Sequence, residues 1–134
     1  MKPHYHVVAA VVCRDGRFLC MQKGETKYAY TRFKWEFPGG KIEQGETPQA
    51  ALRRELLEEM DFPVVVGCPV ATVTHHYPDF SITMTAYRCT ADTANFKLKE
   101  HAAFKWCRLK ELSELDWAAA DVAIVDALRN GADD

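Results

Sequence analysis

The chain reads as a single α/β domain, residues 1–134, built around one mixed sheet. Strand-like runs lie on both sides of one amphipathic helical segment, a second helical pattern follows, and turn residues separate the elements without linkers or repeats. At 134 residues and 48% hydrophobic content, there is enough apolar material for one substantial core.

The elements follow in order. HYHVVAAVVC (4–13) and RFLCMQ (17–22) are strand-like and meet around Asp15-Gly16, a dipeptide suited to a tight hairpin turn. A polar loop from Gly24 to about Lys34 leads to the short Trp35-Glu36-Phe37 segment. Pro38 holds Phe37 extended, and Gly39-Gly40 then predicts a tight turn with close backbone contacts. Thr47-Pro48 is a helix start, with the hydroxyl available to a first-turn amide and proline at the first helical position, where its missing N–H costs nothing. The helix runs to about Met60, and Leu52, Leu56 and Met60 form its apolar stripe. Residues 64–75 and 81–89 read as two further strands, the second with half-buried alternation, joined by a turn at Tyr77-Pro78-Asp79-Phe80. A short strand at 103–108 precedes a closing helix from Trp117 to Arg129, apolar at Val122, Ile124, Val125 and Leu128.

Composition narrows the function. A formal net charge of −2 gives no basic bias, which disfavours a nucleic-acid polymer as partner and leaves a small phosphorylated ligand open. No stretch is long and apolar enough for a membrane span, and no charged, apolar, small-residue leader is seen, so a cytoplasmic protein is expected, monomeric or homodimeric. Cys13, Cys20, Cys68, Cys89 and Cys107 are scattered singly, as suits small buried residues in a reducing compartment. His75 and His76 are adjacent in a strand and point to opposite faces, so they do not readily chelate one ion together.

The chemistry concentrates in residues 40–62, GKIEQGETPQAALRRELLEEMDF. Glu55, Glu58 and Glu59 fall at i, i+3 and i+4, within an arc of roughly 100° on the helix. Taken alone, such a run is commonly a solvated acidic face. Behind a glycine pair and with Glu46 upstream, it asks for a bound cation. An all-oxygen set suits magnesium or manganese and leaves places for water and phosphate.

Gly40, Glu46, Arg54, Glu55, Leu56, Glu58, Glu59 and Phe62 resemble the signature of the Nudix hydrolases; of nine fixed positions eight agree, the departure being Asp61 in place of glycine. That position lies just past the helix, where aspartate enters the left-handed region at modest cost. The resemblance implies a Nudix-type α/β/α sandwich, here of the compact MutT-like branch. It further implies hydrolysis of a nucleoside or deoxynucleoside triphosphate to monophosphate and pyrophosphate, on a CTP/dCTP-like pyrimidine or an oxidised purine nucleotide. Another diphosphate-linked substrate, such as a dinucleoside polyphosphate or nucleotide sugar, stays open, as does a nucleotide-sensing module without catalysis.

By the same resemblance, Gly40, Glu55, Glu58, Glu59 and Glu100 are the candidate metal set, with Glu58 or Glu100 taking a proton from water. Glu100 also reads as a solvated loop acid. Arg54 joins the catalytic set by orienting the acids through a bidentate bond to Glu46 or Glu58. Lys23 is placed either to reach a phosphate or as plain surface charge. Asp121 matches the position where relatives read the base. As a carboxylate that only accepts hydrogen bonds it would favour an amino edge, and it also suits a helix N-terminus. Phe37, Tyr77 and Phe80 are the candidate stacking wall.

Overall fold

The computed structural model describes residues 1–131. Its elements are β1 (His4–Arg14), β2 (Arg17–Gln22), β3 (Trp35–Glu36), β4 (Gly39–Lys41), α1 (Pro48–Met60), β5 (Val65–His76), β6 (Ser81–Thr90), β7 (Ala103–Cys107), a 3₁₀ turn (Leu109–Glu114) and α2 (Ala119–Arg129). The predicted hairpin, both long helices and the paired strands around Tyr77–Phe80 are present.

The apolar run of β1 is explained by what flanks it. β1 runs parallel to β6 from His4↔Ser81 to Val12↔Cys89, while its other edge is antiparallel to β4 at Val7–Ala9 and to β2 only at the hairpin end. β2 continues the mixed sheet to β3 and β7, and β5 borders β6. Side chains alternate across the sheet. Val8, Ala10 and Val12 pack with Leu52, Leu56, Met60 and Phe62 on the α1 side. Ala9 and Val11 pack with Leu112, Trp117, Ile124, Val125 and Leu128 on the α2 side. A strand buried on both faces cannot show polar alternation, and the domain is an α/β/α sandwich.

α1 is closed at both ends by its own sequence. Thr47 is extended and its hydroxyl accepts from the Ala50 N–H at 3.1 Å, with Pro48 following. At the far end Asp61 is left-handed (φ 49°, ψ 41°); its N–H reaches the Leu57 carbonyl at 3.0 Å, the 5→1 bond of an αL cap, and the Phe62 N–H reaches the Leu56 carbonyl at 3.2 Å. Phe62 completes it by burying its ring beside Leu56.

Two expectations change. Gly39 and Gly40 form strand β4 rather than a tight turn, and neither has a positive φ. Glycine is needed there for space: a Cβ on Gly39 would overlap the Val8 carbonyl, and one on Gly40 would overlap the carboxyl group of Glu55. The closing helix begins at Ala119, not Trp117. The Trp35 N–H donates to the Asp116 carbonyl and the Ala118 N–H to the Trp35 carbonyl, both at 2.8 Å, which keeps residues 116–118 extended.

The stripe on α1 sets a contrast between neighbours. Leu56 is fully buried and Leu57 half-exposed, so Leu56→Ala should cost about 2–5 kcal/mol and Leu57→Ala under about 0.5 kcal/mol. Urea unfolding of both variants checks this, and equal losses would contradict the assigned helix face.

Candidate active site

The site is built at one end of α1, where β4 and the loop after it pass alongside. Arg54 organises that corner. Its Nε and Nη2 donate to the two oxygens of Glu46 at 2.6 and 2.9 Å, Nη1 donates to Glu55 at 3.1 Å and Glu58 at 3.0 Å, and Nη2 also reaches the Lys41 carbonyl at 3.1 Å. The fork to Glu46 is bidentate, and the guanidinium is spent on protein acceptors rather than turned to the cavity. These hydrogen bonds, with the Glu43 N–H, hold the Glu46 carboxyl down to about 2.

In front of this corner opens a cavity of about 760 Å³, lined among others by Gly40, Glu59, Glu36, Glu100, His101, Lys23, Tyr77, Phe80 and Asp121. Of the three helical acids only Glu59 lines it; Glu55 and Glu58 are drawn back to Arg54. Burial pushes the Glu59 carboxyl up to about 9, helped by a hydrogen bond and repulsion from Glu55 and by the charges of Glu100 and Glu36. Glu100 is exposed, and no hydrogen bond or ion pair engages its carboxylate among the described residues. As the side chains stand, no three acids, histidines or cysteines among the described residues are gathered to hold a metal. The donors are nevertheless all oxygen, and the repulsion concentrated on Glu59 is what a divalent cation relieves.

Glu36 links the two ends of the cavity, since its charge raises both Glu59 and Asp121. It is held by His101 Nε2 at 2.9 Å and by Lys23 Nζ at 3.5 Å. Neither Glu36 nor His101 is among the sequence candidates, because they meet only through the fold; an acid between Trp35 and Phe37 was the one available hint.

Asp121 lies at the start of α2, 5% exposed, and its Oδ1 accepts the Phe37 N–H at 3.0 Å. Burial and Glu36 push its carboxyl up to about 8 against the opposing Phe37 N–H and Lys23. The shift favours the protonated form, which donates as well as accepts, beside the acceptor-only carboxylate expected from sequence. Phe37 is buried and stacked on Trp117 with centroids 4.7 Å apart, so what it brings to the site is its backbone N–H rather than an open ring face. Tyr77 is also largely buried; its hydroxyl accepts the Ala120 N–H at 3.1 Å, capping α2, while its ring meets Phe80 at 5.0 Å and stacks on Tyr30 at 5.6 Å. Tyr28, against Phe80 at 5.7 Å, is an aromatic of the cavity wall that sequence reasoning missed. His75 packs edge-on against Tyr77 while His76 Nδ1 meets the Ser81 hydroxyl at 2.7 Å, so the two are engaged separately.

The Arg54–Glu46 fork carries a pH signature. Because the folded Glu46 value lies below the ordinary 4.5, its stabilisation is complete above that pH and is lost as pH falls through about 2. Glu46→Gln should therefore melt below the parent at pH 6, and the gap should close as pH falls toward 2. A gap independent of pH in thermal melts would refute the ionic origin.

Comparison with known proteins places the chain in a family. The NUDIX domain family pattern matches residues 3–128. A CTP pyrophosphohydrolase from Escherichia coli (strain K12) is 34% identical over 134 residues, covering 90% of this chain and 88% of the relative. An 8-oxo-dGTP diphosphatase from Proteus vulgaris is 38% identical over 89 residues, covering 66% of this chain and 79% of the relative. The solution structure of a DNA mismatch repair protein MutT of the Nudix hydrolase family, from methicillin-resistant Staphylococcus aureus 252, aligns with a TM-score of 0.76 and 37% identity over 98% of this chain and 99% of that one. The chain belongs to the Nudix family and is a hydrolase.

Proposed function

We propose that this enzyme hydrolyses a nucleoside or deoxynucleoside triphosphate to the monophosphate and pyrophosphate, with a cytosine-type nucleotide as its preferred substrate class. The observation that carries this reading is one cavity holding crowded acids, Glu59 and Glu100, together with a buried, hydrogen-bonding Asp121 walled by Tyr77 and Phe80. The first suits phosphates accompanied by cations, the second the edge and face of a base. The names of the relatives, acting on CTP and on 8-oxo-dGTP, support the same class.

Glu55, Glu58, Glu59 and Glu100, with the Gly40 carbonyl, would hold magnesium or manganese, which when bound neutralises phosphate charge and makes water easier to deprotonate. The protein's part is positioning and proton transfer. Arg54 fixes Glu55 and Glu58, and Lys23 supplies positive charge beside the substrate's phosphates. Water adds to phosphorus, the anhydride P–O bond breaks with pyrophosphate taking the electron pair, and a carboxylate takes the water proton. Glu100 suits that last role better than Glu58, since it lines the cavity and is free of ion pairs among the described residues.

A panel of CTP, dCTP, UTP, dTTP, dGTP, a dinucleoside polyphosphate and a nucleotide sugar, with and without magnesium, tests the reading. Pyrophosphate released from CTP and dCTP only with the metal is the expected result. No cleavage of any compound would leave a sensing module, and cleavage of only the diphosphate-linked compounds would overturn the triphosphate assignment.

Glu59→Gln should separate stability from chemistry. A raised carboxyl pKa means that metal-free stability falls as pH climbs from the ordinary 4.5 toward about 9. With chelator at pH 8 the variant should melt above the parent, yet its turnover with magnesium should fall by about 10²-fold or more. A variant with near-parental turnover would remove Glu59 from the reactive set.

Asp121 should make base choice depend on pH. Below about 8 it can donate as well as accept, and above that value it only accepts, which repels the carbonyl edge of uracil. The CTP to UTP ratio of kcat/KM should thus rise through pH 8 in the parent and stay flat in Asp121→Ala. The same slope in both proteins would exclude Asp121 from base reading.

A further inference from the structure

Asp61 stands where the Nudix signature has glycine, and its side chain connects two parts of the site that its backbone does not. The left-handed φ of 49° is one that glycine would adopt without steric cost. Its carboxylate accepts Lys99 Nζ at 2.9 Å and Lys97 Nζ at 3.3 Å, and these two lysines, Lys99 foremost, hold it below the usual carboxylate range. Both lysines belong to the loop that carries Glu100. Lys99 Nζ also reaches the Glu58 carbonyl at 3.4 Å, so this one side chain spans the last turn of α1 and its cap.

The backbone of that loop is tied at two points. The Lys97 N–H donates to the Met60 carbonyl at 2.8 Å, and the Ala102 N–H to the Gln22 carbonyl at 2.9 Å. Between those ties, residues 98–101 make no backbone bond to either element. Among the described residues, side-chain bonds tie this segment, Lys99 on Asp61 and His101 on Glu36 at 2.9 Å, and Glu100 is the residue between these two anchors.

We propose that Asp61 is a positioning residue for Glu100: through Lys99 it sets where the Glu100 carboxylate stands opposite Glu59. The inference rests on the reading of Glu100 as a member of the reactive set. Helix capping alone does not account for the aspartate, since the cap bonds come from backbone N–H groups that glycine would supply equally. The exposed ion pair contributes little to global stability. Its effect lies in confining residues 98–101, whose backbone makes no hydrogen bond to α1 or β2 among the described residues.

The test uses the full chain with magnesium and CTP, comparing Asp61→Gly, Lys99→Met, Lys99→Arg, Glu100→Gln and the double variant Asp61→Gly with Glu100→Gln. Asp61→Gly is expected to melt at or above the parental temperature, because glycine suits the left-handed cap. Its kcat should fall about fivefold with KM nearly unchanged, the size an exposed ion pair's coupling permits. Lys99→Met should match it, and Lys99→Arg should keep parental turnover. In the Glu100→Gln background Asp61→Gly should cost nothing further, since there is no carboxylate left to place. Parental kcat in Asp61→Gly, or an equal loss with and without Glu100, overturns the inference while leaving the function intact. Parental turnover in Glu100→Gln overturns the reading of Glu100 itself, and a missing magnesium-dependent activity in the parent overturns the proposed function.

Discussion

A single guanidinium organises the corner on which the site depends. Arg54 joins Glu46 and the Lys41 carbonyl, from the segment after β4, to Glu55 and Glu58 on its own helix. The turn between strand and helix is thereby closed by charge-assisted bonds, with Ile42 packed on the α1-side core beside them. A lysine could not substitute, because only a planar fork donates in parallel to both Glu46 oxygens while reaching acceptors on either side. The contact also divides the acids electrically. Those behind are balanced by Arg54, whereas Glu59, Glu36 and Glu100 in front repel one another without a cation of their own beyond Lys23 on Glu36. The raised carboxyl of Glu59 records that imbalance, and it marks the one part of the cluster where added positive charge does most.

What the sequence made legible follows from how local each signal is. α1 could be read in full, since Thr47, Pro48 and the Leu52, Leu56, Met60 stripe all act within one helix. The β1–β2 hairpin was equally local, with Asp15 and Gly16 both at positive φ in the turn. The parallel pairing of β1 with β6 was not legible, because register between strands some 77 residues apart, as at His4↔Ser81, is chosen by the two cores together. Gly39-Gly40 shows a subtler limit. Glycine permits both unusual angles and close approach, and the sequence does not say which is needed; here it is room for the Val8 carbonyl and the Glu55 carboxyl.

The site divides along the same line. The shared face of Glu55, Glu58 and Glu59 was visible from spacing, yet only Glu59 reaches the cavity, because Arg54 competes for the other two. Glu36 and His101 are separated by 65 residues and have no motif between them. Asp121 was found as a position, but its protonation depends on burial and on Glu36, neither of which composition reveals. Phe37 shows a related limit: it lines the cavity, yet its ring is buried and stacked on Trp117, which spacing does not reveal.

Charge is graded along the cavity, and the gradient bears on where selectivity resides. Acids crowd the side nearest α1, Lys23 and Glu36 offset each other between, and at Asp121 burial and the charge of Glu36 disfavour the ionised form. Under the proposed function a triphosphate entering the acidic side would require accompanying cations whatever its base, so that side would contribute binding common to every nucleotide. Under that proposal discrimination would fall to the side holding Asp121, where a mismatched hydrogen bond would leave a buried polar atom unpaired. Asp121 is fixed there by the Phe37 N–H, and Phe37 is fixed in turn by Trp117, whose indole donates to the Leu112 carbonyl at 2.6 Å. The orientation of one carboxyl group is therefore set by the α2-side core, while Glu55 and Glu58 are set by Arg54 on the α1 side. The sandwich thus anchors the two ends of the cavity from different cores on either side of β1, while Glu36, whose charge raises both Glu59 and Asp121, couples them.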